Sequence, residues 1–164
     1  MVHPYRSIGL LLSSLIVTLA ACAPPSDEGP VPDRASVAAE LQHVMEAYGS
    51  AFENRDVRAL LGFYAGESEF HGYTDGRPTA LADVREGLSS FLRTVDSVVV
   101  RYDTIDARPI AANIGVIYTR LSERWVDSTG VETKVGVSGS WLVRRVDGRW
   151  RIGYFDLKPV PPPP

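Results

Sequence analysis

Hydrophobic residues recur every three or four positions between residues 35 and 55. This spacing places them on one face of an amphipathic helix. They are Val37, Leu41, Val44, Met45, Tyr48 and Phe52. Asp56 is a good N-cap for a second, shorter helix that should end near Gly66, and the apolar positions of residues 81–92 again have helical spacing. The pattern therefore predicts three helices in the first half of the folded region.

The hydrophobic period changes to two from Asp96 onward, with β-branched and aromatic residues throughout, which is typical of strands. A short strand at residues 69–73 and a loop at residues 75–78 precede the third helix. The long strands are expected at residues 97–107, 112–126, 132–146 and 149–158. Because Asp147-Gly148 is a strong hairpin signal, these strands should form an antiparallel sheet. The prediction is an α+β domain in which a curved antiparallel sheet packs on three N-terminal helices.

Composition excludes several classes of protein. The chain has 164 residues with one Cys and three His, too few for a disulfide scaffold or a cysteine-rich metal site. Its formal charge of -3 and the lack of a long basic run argue against nucleic acid as a partner. No phosphate-binding loop, dinucleotide fingerprint or metalloprotease motif occurs. We therefore expect no metal, no cofactor and no nucleic acid.

The N-terminus has the features of a signal peptide. After Arg6, residues 8–21 are mostly apolar, which is too short a run to span a bilayer. The run ends in Leu-Ala-Ala-Cys at Cys22, which resembles the bacterial lipobox. This resemblance implies a lipoprotein signal peptide at residues 1–21 and acylation of Cys22, for example with palmitate. The alternative is an ordinary secretory signal with an incidental cysteine.

Ala23 stands where a retention aspartate would follow the acylated cysteine. The lipobox resemblance therefore implies a lipid-anchored protein of the cell envelope, on the periplasmic side of the outer membrane if the cell is Gram-negative. Residues 22–33 are rich in proline and acids, so they should form an extended tether. Residues 34–158 are expected to fold, and residues 159–164 should be a disordered proline-rich tail.

Several short segments together carry a family resemblance across residues 34–158. They are the alanine- and tyrosine-containing first helix, the Asn54-Arg55-Asp56 break, the Leu-Leu-Gly-Phe-Tyr segment ending at Tyr64, and the closing Asp-Gly-Arg-Trp-Arg-Ile hairpin ending at Ile152. The chain resembles the nuclear transport factor 2-like superfamily, most of all its SnoaL-like branch. This resemblance implies a cone with a pocket at its open end and, in many members, a homodimer formed through the sheet.

Ketosteroid isomerase is a more distant relative in this resemblance. Its oxyanion-binding tyrosine falls on Tyr48, but its proton-shuttling carboxylate falls on Gly72, which cannot take a proton. A shift of one residue would bring His71 or Tyr73 to that position. Where many SnoaL-like relatives carry a closing histidine and serine, this chain has Asp156 and Lys158.

Three side chains are candidates for catalysis. Asp156 should share a strand face with Trp150, Ile152 and Tyr154, because alternate residues point the same way. It is then either the polar end of a pocket or the point where the strand enters water. His71 is either a general base or a surface residue. Tyr48 is either a core residue or a hydrogen-bond donor to a ligand.

Five further residues are candidates for ligand binding. They are Tyr64, Tyr118, Arg124, Trp150 and Tyr154. Arg124, if directed into the cone, would favour an anionic ligand or pair with Asp156. The alternative is that it lies on the solvated end of its strand.

Three functions remain open at this stage. The first is an envelope lipoprotein that binds a small, largely apolar or amphipathic molecule in the cone. The second is an acid–base enzyme of the isomerase, dehydratase or cyclase type that uses Asp156 or His71 with Tyr48. The third is a dimerisation or protein-interaction module.

Overall fold

A computed structural model describes residues 33–162. It contains the three expected helices and one short 3₁₀ turn at Glu67–Glu69. The helices are α1 (Arg34–Glu53), α2 (Val57–Gly62) and α3 (Leu81–Thr94). The Asp56 side chain caps α2 by accepting a hydrogen bond of 2.9 Å from the backbone N–H of Ala59. The expected signal peptide, Cys22 and most of the tether lie outside the described residues.

Six strands form one curved sheet. They are β1 (His71–Thr74), β2 (Arg77–Thr79), β3 (Val95–Ala111), β4 (Ile114–Asp127), β5 (Glu132–Val146) and β6 (Arg149–Val160). Their order across the sheet is β2-β1-β6-β5-β4-β3. The four long strands, β3 to β6, are antiparallel as predicted. No helix among residues 33–162 combines the length and the hydropathy that crossing a membrane requires.

The first two strands correct two expectations. Residues 77–79 form a strand instead of a loop, because Asp75 and Gly76 adopt positive φ angles of 52° and 72° and reverse the chain in a tight hairpin. In addition, β1 runs parallel to β6, with His71 opposite Tyr154, so the sheet is mixed. A parallel pairing between segments so distant in sequence leaves no local pattern to predict it.

The end of the domain also differs from the expectation. Strand β6 continues through Val160, so Pro159 and Val160 belong to the sheet and not to a disordered tail. Val160 pairs with Gly136 on β5. The next carbonyl, that of Pro161, accepts a hydrogen bond of 3.4 Å from the Arg120 guanidinium. The folded domain therefore extends beyond residue 158.

The main core lies between α1 and the concave face of the sheet. Leu41 and Met45 on α1 are fully buried against Ile117 on β4 and Ile152 on β6. A second cluster joins Phe52 and the helices α2 and α3 to the start of β3. The odd-numbered side chains of β4 face this interior, since Ile117, Thr119 and Leu121 are all buried.

A β-bulge at Gly153 changes which side chains of β6 point inward. Val143 pairs with Ile152, whereas Leu142 pairs with Tyr154, so Gly153 is an extra residue in β6. After the bulge, the buried residue is Phe155. The expectation that Asp156 and Tyr154 share a face with Trp150 and Ile152 is therefore wrong. Both side chains point to the outer, convex face of the sheet.

Candidate functional site

A cavity of about 540 Å³ opens between α1, α3 and the concave face of the sheet. Its position corresponds to the open end of the cone. The walls are mainly apolar, with valine and leucine side chains from α3 and from strands β3 to β6. Six aromatic residues line it: Tyr48, Phe52, Tyr64, Tyr102, Trp141 and Phe155. These walls suit a ligand with a large apolar body.

Two tyrosines form a hydrogen-bonded pair in the cavity wall. The hydroxyl oxygens of Tyr48 on α1 and Tyr64, which follows α2, are 2.7 Å apart. Burial raises the pKa of both phenols well above the ordinary value, so both are neutral near pH 7. One hydroxyl donates to the other, which leaves the second hydroxyl proton available to a ligand oxygen.

Glu123 on β4 places a carboxylate in the inner wall of this cavity. The odd-numbered residues Ile117, Thr119 and Leu121 of β4 point inward, and Glu123 continues this series. Its neighbours across the sheet are Val100 and Val135. Within residues 33–162 its side chain makes no hydrogen bond or ion pair. Burial raises the pKa of Glu123 to about 7. A carboxyl group in such surroundings exchanges a proton near neutral pH.

The Glu123 carboxylate also acts on the nearby phenols. Together with burial, its negative charge raises the pKa values of Tyr48 and Tyr102. Tyr102 already donates its hydroxyl proton to the backbone carbonyl of Met45 at 2.9 Å. The Tyr48–Tyr64 pair and Glu123 are therefore polar groups that the wall formed by α1, β4 and the segment after α2 offers to a ligand.

The other ionisable residues that line the cavity have other contacts or lie in a turn. Asp83 accepts a hydrogen bond of 2.9 Å from the backbone N–H of Ala80, at the start of α3. Asp75 lies in the β1–β2 turn. The Lys158 ammonium is 3.2 Å from the Asp156 carboxylate and most of its side chain is exposed. None of these three interacts with Glu123.

Among the three catalytic candidates, only Tyr48 lines the cavity. Asp156 lies on the convex face beside Lys158. His71 is exposed on β1 and borders a separate shallow depression with Tyr73 and Pro78. Tyr48, His71 and Asp156 therefore do not converge, which removes the acid–base arrangement expected from the sequence.

Among the five ligand-binding candidates, only Tyr64 lines the cavity. Even-numbered residues of β4 point outward, so Tyr118 is 46% exposed and the Arg124 guanidinium pairs with Glu132 at 3.0 Å. The Tyr154 ring lies against that of Tyr73 on the convex face. Trp150 is buried elsewhere in the domain, and its indole N–H donates to Glu40 at 2.8 Å.

Gly72 explains why the ketosteroid isomerase carboxylate has no counterpart on β1. A Cβ atom at this position would lie 2.9 Å from the Thr79 carbonyl oxygen and 3.0 Å from the rings of Phe70 and Phe155. No larger side chain fits at Gly72, because the rings of Phe70 and Phe155 fill the space that an acidic side chain would need. Within residues 33–162, no three potential metal-ligating side chains lie close enough together to hold an ion.

No protein-family model and no curated protein sequence matches this chain. Solved structures do match. One is a provisionally assigned aromatic ring hydroxylase from Novosphingobium aromaticivorans, with a TM-score of 0.69 and 16% identity over 79% of this chain and 93% of that one. Another is a provisionally assigned dehydratase of the nuclear transport factor 2-like family from Streptomyces avermitilis, with a TM-score of 0.66 and 11% identity over 77% and 98% of the two chains.

The described domain has the nuclear transport factor 2-like fold. A ketosteroid isomerase-like protein from Erwinia carotovora is also similar, with a TM-score of 0.60 and 19% identity over 76% of this chain and 97% of that one. The fold expected from the sequence is thus confirmed. At these identities the likeness concerns the fold, and function has to be argued from the cavity of this nuclear transport factor 2-like domain.

The raised pKa of Glu123 predicts a specific pH dependence of stability. The folded protein holds this proton more tightly than the unfolded chain, whose glutamate pKa is about 4.3. Stabilisation by the protonated form is fully present below that value and is lost as the pH rises through about 7. Glu123→Gln cannot ionise, so its stability relative to wild type should increase over this interval, by about 1.4 kcal/mol per unit of pKa difference.

Urea unfolding of wild type and Glu123→Gln at about pH 4.5 and pH 8 measures this difference. Glu86→Gln, at an exposed position of α3, is the matched control and should show no pH-dependent gain. An equal stability difference between Glu123→Gln and wild type at both pH values would contradict the assignment.

Proposed function

We propose that this protein binds a small, largely apolar molecule in the cavity of its cone. The single observation that carries the proposal is the cavity itself, of about 540 Å³, with aromatic and aliphatic walls. Ligand pockets commonly measure about 300–1,000 Å³ and combine apolar walls with a few polar groups that orient the ligand. Here those groups are the Tyr48–Tyr64 pair and Glu123.

Acid–base catalysis is a second candidate, and the specific observation in its favour is Glu123. A carboxyl group with a pKa of about 7 accepts and returns protons at neutral pH. The Tyr48–Tyr64 pair supplies a donor for a developing oxyanion in the same cavity. Glu123 thus takes the role that the sequence assigned to Asp156 or His71.

We further propose that Cys22 is acylated and that the domain is tethered to the envelope, on the periplasmic side of the outer membrane in a Gram-negative cell. The lipobox-like segment before Cys22 supports this proposal. A homodimer through the sheet is also proposed. It is supported by large side chains on the convex face, such as Tyr118 and Leu142, which are 46% and 41% exposed.

Filling the cavity should weaken binding without unfolding the protein. Gly87 on α3 lines the cavity, and a Cβ atom at Gly87 would meet nothing within 4 Å. In Gly87→Phe, we expect an uncharged fluorescent probe, N-phenyl-1-naphthylamine, to bind about tenfold more weakly or not at all, since the ring occupies its place.

Gly66→Phe is the matched control. A Cβ atom at Gly66 also meets nothing within 4 Å, but Gly66 does not line the cavity, so probe binding should match wild type. Fluorescence titration measures both affinities. If the probe binds Gly87→Phe as well as it binds wild type, or does not bind wild type at all, the cavity is not its site.

The catalytic candidate has its own test. Wild-type protein is screened for proton exchange and dehydration with small enolisable ketones and β-hydroxy carbonyl compounds. Any turnover should fall by about 10²- to 10⁴-fold in Glu123→Gln, the range typical of a general acid or base. Glu86→Gln should retain it. Turnover that survives Glu123→Gln unchanged would remove Glu123 from the mechanism.

The lipid anchor is tested at Cys22, the single cysteine of the chain. In bacteria that express the full chain, Cys22→Ser should abolish incorporation of labelled palmitate and release the protein from the membrane fraction. Ser26→Ala, four residues further on, should leave both unchanged. A wild-type protein that is secreted without any label would indicate an ordinary signal peptide instead.

A further inference from the structure

The Glu123 carboxylate lacks a counter-charge in the largely apolar inner wall of the cavity. A buried carboxylate is normally paired or hydrogen-bonded, because removal from water destabilises its charged form. Within residues 33–162, Glu123 has neither kind of partner. Its neighbours across the sheet, Val100 and Val135, offer no polar side chain. In the free protein this partly buried carboxylate therefore has no partner among the described residues.

The surrounding residues do not supply a positive charge. Lys158 is the basic residue among those that line the cavity, and its ammonium lies 3.2 Å from Asp156 on the convex face. Asp75 and Asp83, which also line the cavity, are acidic residues. An anionic ligand group placed at Glu123 would consequently meet a like charge there.

The aromatic walls complement a cation. Tyr48, Tyr102 and Trp141 line the same space as Glu123, and aromatic faces attract ammonium groups, more strongly where water is excluded. A hydroxyl on the ligand would give Glu123 a hydrogen bond but would leave its charge uncompensated. A protonated amine provides both the hydrogen bond and the charge.

We infer that the cavity recognises an amphipathic cation, a molecule with an apolar, ring-sized body and one protonated amine that pairs with the Glu123 carboxylate. This inference rests on the proposed binding function and specifies its ligand class. The apolar walls hold the body of the ligand, and Glu123 selects its head group. Because the carboxylate lies in a largely apolar wall, its attraction for an ammonium group is less screened than at an exposed position.

Three probes that share the same apolar ring system but differ in the charge of their head group test which charge the cavity prefers. They are 1-naphthalenemethylamine, 1-naphthalenemethanol and 1-naphthoate, which are cationic, neutral and anionic at pH 8. Calorimetric titration of the wild-type protein should rank the amine first, about ten- to a hundredfold tighter than the alcohol, with 1-naphthoate weakest. This comparison needs no variant and so does not depend on the folding of a mutant.

Glu123→Gln keeps the shape of the side chain and removes its charge. Affinity for the amine should fall by about tenfold or more, to the level of the alcohol, whose own affinity stays unchanged. Circular dichroism verifies that the variant is folded. Glu86→Gln, exposed on α3, should retain the wild-type ranking.

The outcomes separate this inference from the proposed function. If the alcohol or 1-naphthoate binds wild type as tightly as the amine, the inference of a cationic ligand is wrong. The proposed binding of an apolar molecule in the cavity is then still supported. The same conclusion follows if the preference for the amine survives Glu123→Gln. If none of the three probes binds and N-phenyl-1-naphthylamine does not bind either, both the inference and the proposed function are overturned.

Discussion

The close packing of α1 into the concave face of the sheet determines the rest of this structure. Two glycines permit it. A Cβ atom at Gly115 on β4 would lie 2.3 Å from the Leu41 side chain, and one at Gly49 on α1 would lie 2.8 Å from the Tyr102 ring. Such approaches tolerate no added carbon without movement of the neighbour. The helix is thus held against β4 at Leu41 and against β3 at Gly49.

This packing also places the polar groups of the cavity. Tyr48 lies one residue before Gly49, and Tyr102 both contacts Gly49 and donates to the Met45 carbonyl. Because the helix approaches the sheet so closely at these points, the Tyr48 hydroxyl reaches Tyr64 at 2.7 Å. The space that α1 and α3 leave unfilled beyond them is the cavity, and Glu123 faces that space.

Most of the fold could be predicted because its elements have clear periods. The helical stripe from Val37 to Phe52 and the two-residue alternation of β3 to β6 are local properties of the chain. The sequence pattern does not by itself specify which face of each strand points inward. Counting by twos from Ile152 places Asp156 on the same face as Ile152, and the single extra residue at Gly153 moves it to the opposite face.

Glu123 was missed for a related reason. Both faces of β4 carry apolar residues, with Ile114 and Val116 on one and Ile117 and Leu121 on the other, so alternation alone does not identify the interior face. The pattern therefore favours Tyr118 and Arg124 as readily as Glu123, although both belong to the outer face. The deciding information is the packing of α1 on Ile117, a contact between residues far apart in the chain. Tyr48 was found because a single helical stripe already specifies its direction.

The position of Glu123 shows why two proteins with this fold need not share a catalytic mechanism. In this domain Phe70, Phe155 and the Thr79 carbonyl close the space around Gly72 on β1, so no acidic side chain fits at that position. The carboxylate instead comes from β4, three strands away in the sheet order. A ligand that meets Glu123 must therefore present its polar group toward β4 and its apolar body toward Phe155 and α3. Burial raises the pKa of Glu123, so its ionised form is disfavoured in the folded domain. A ligand that pairs with this group would supply the partner that the contacts among residues 33–162 do not.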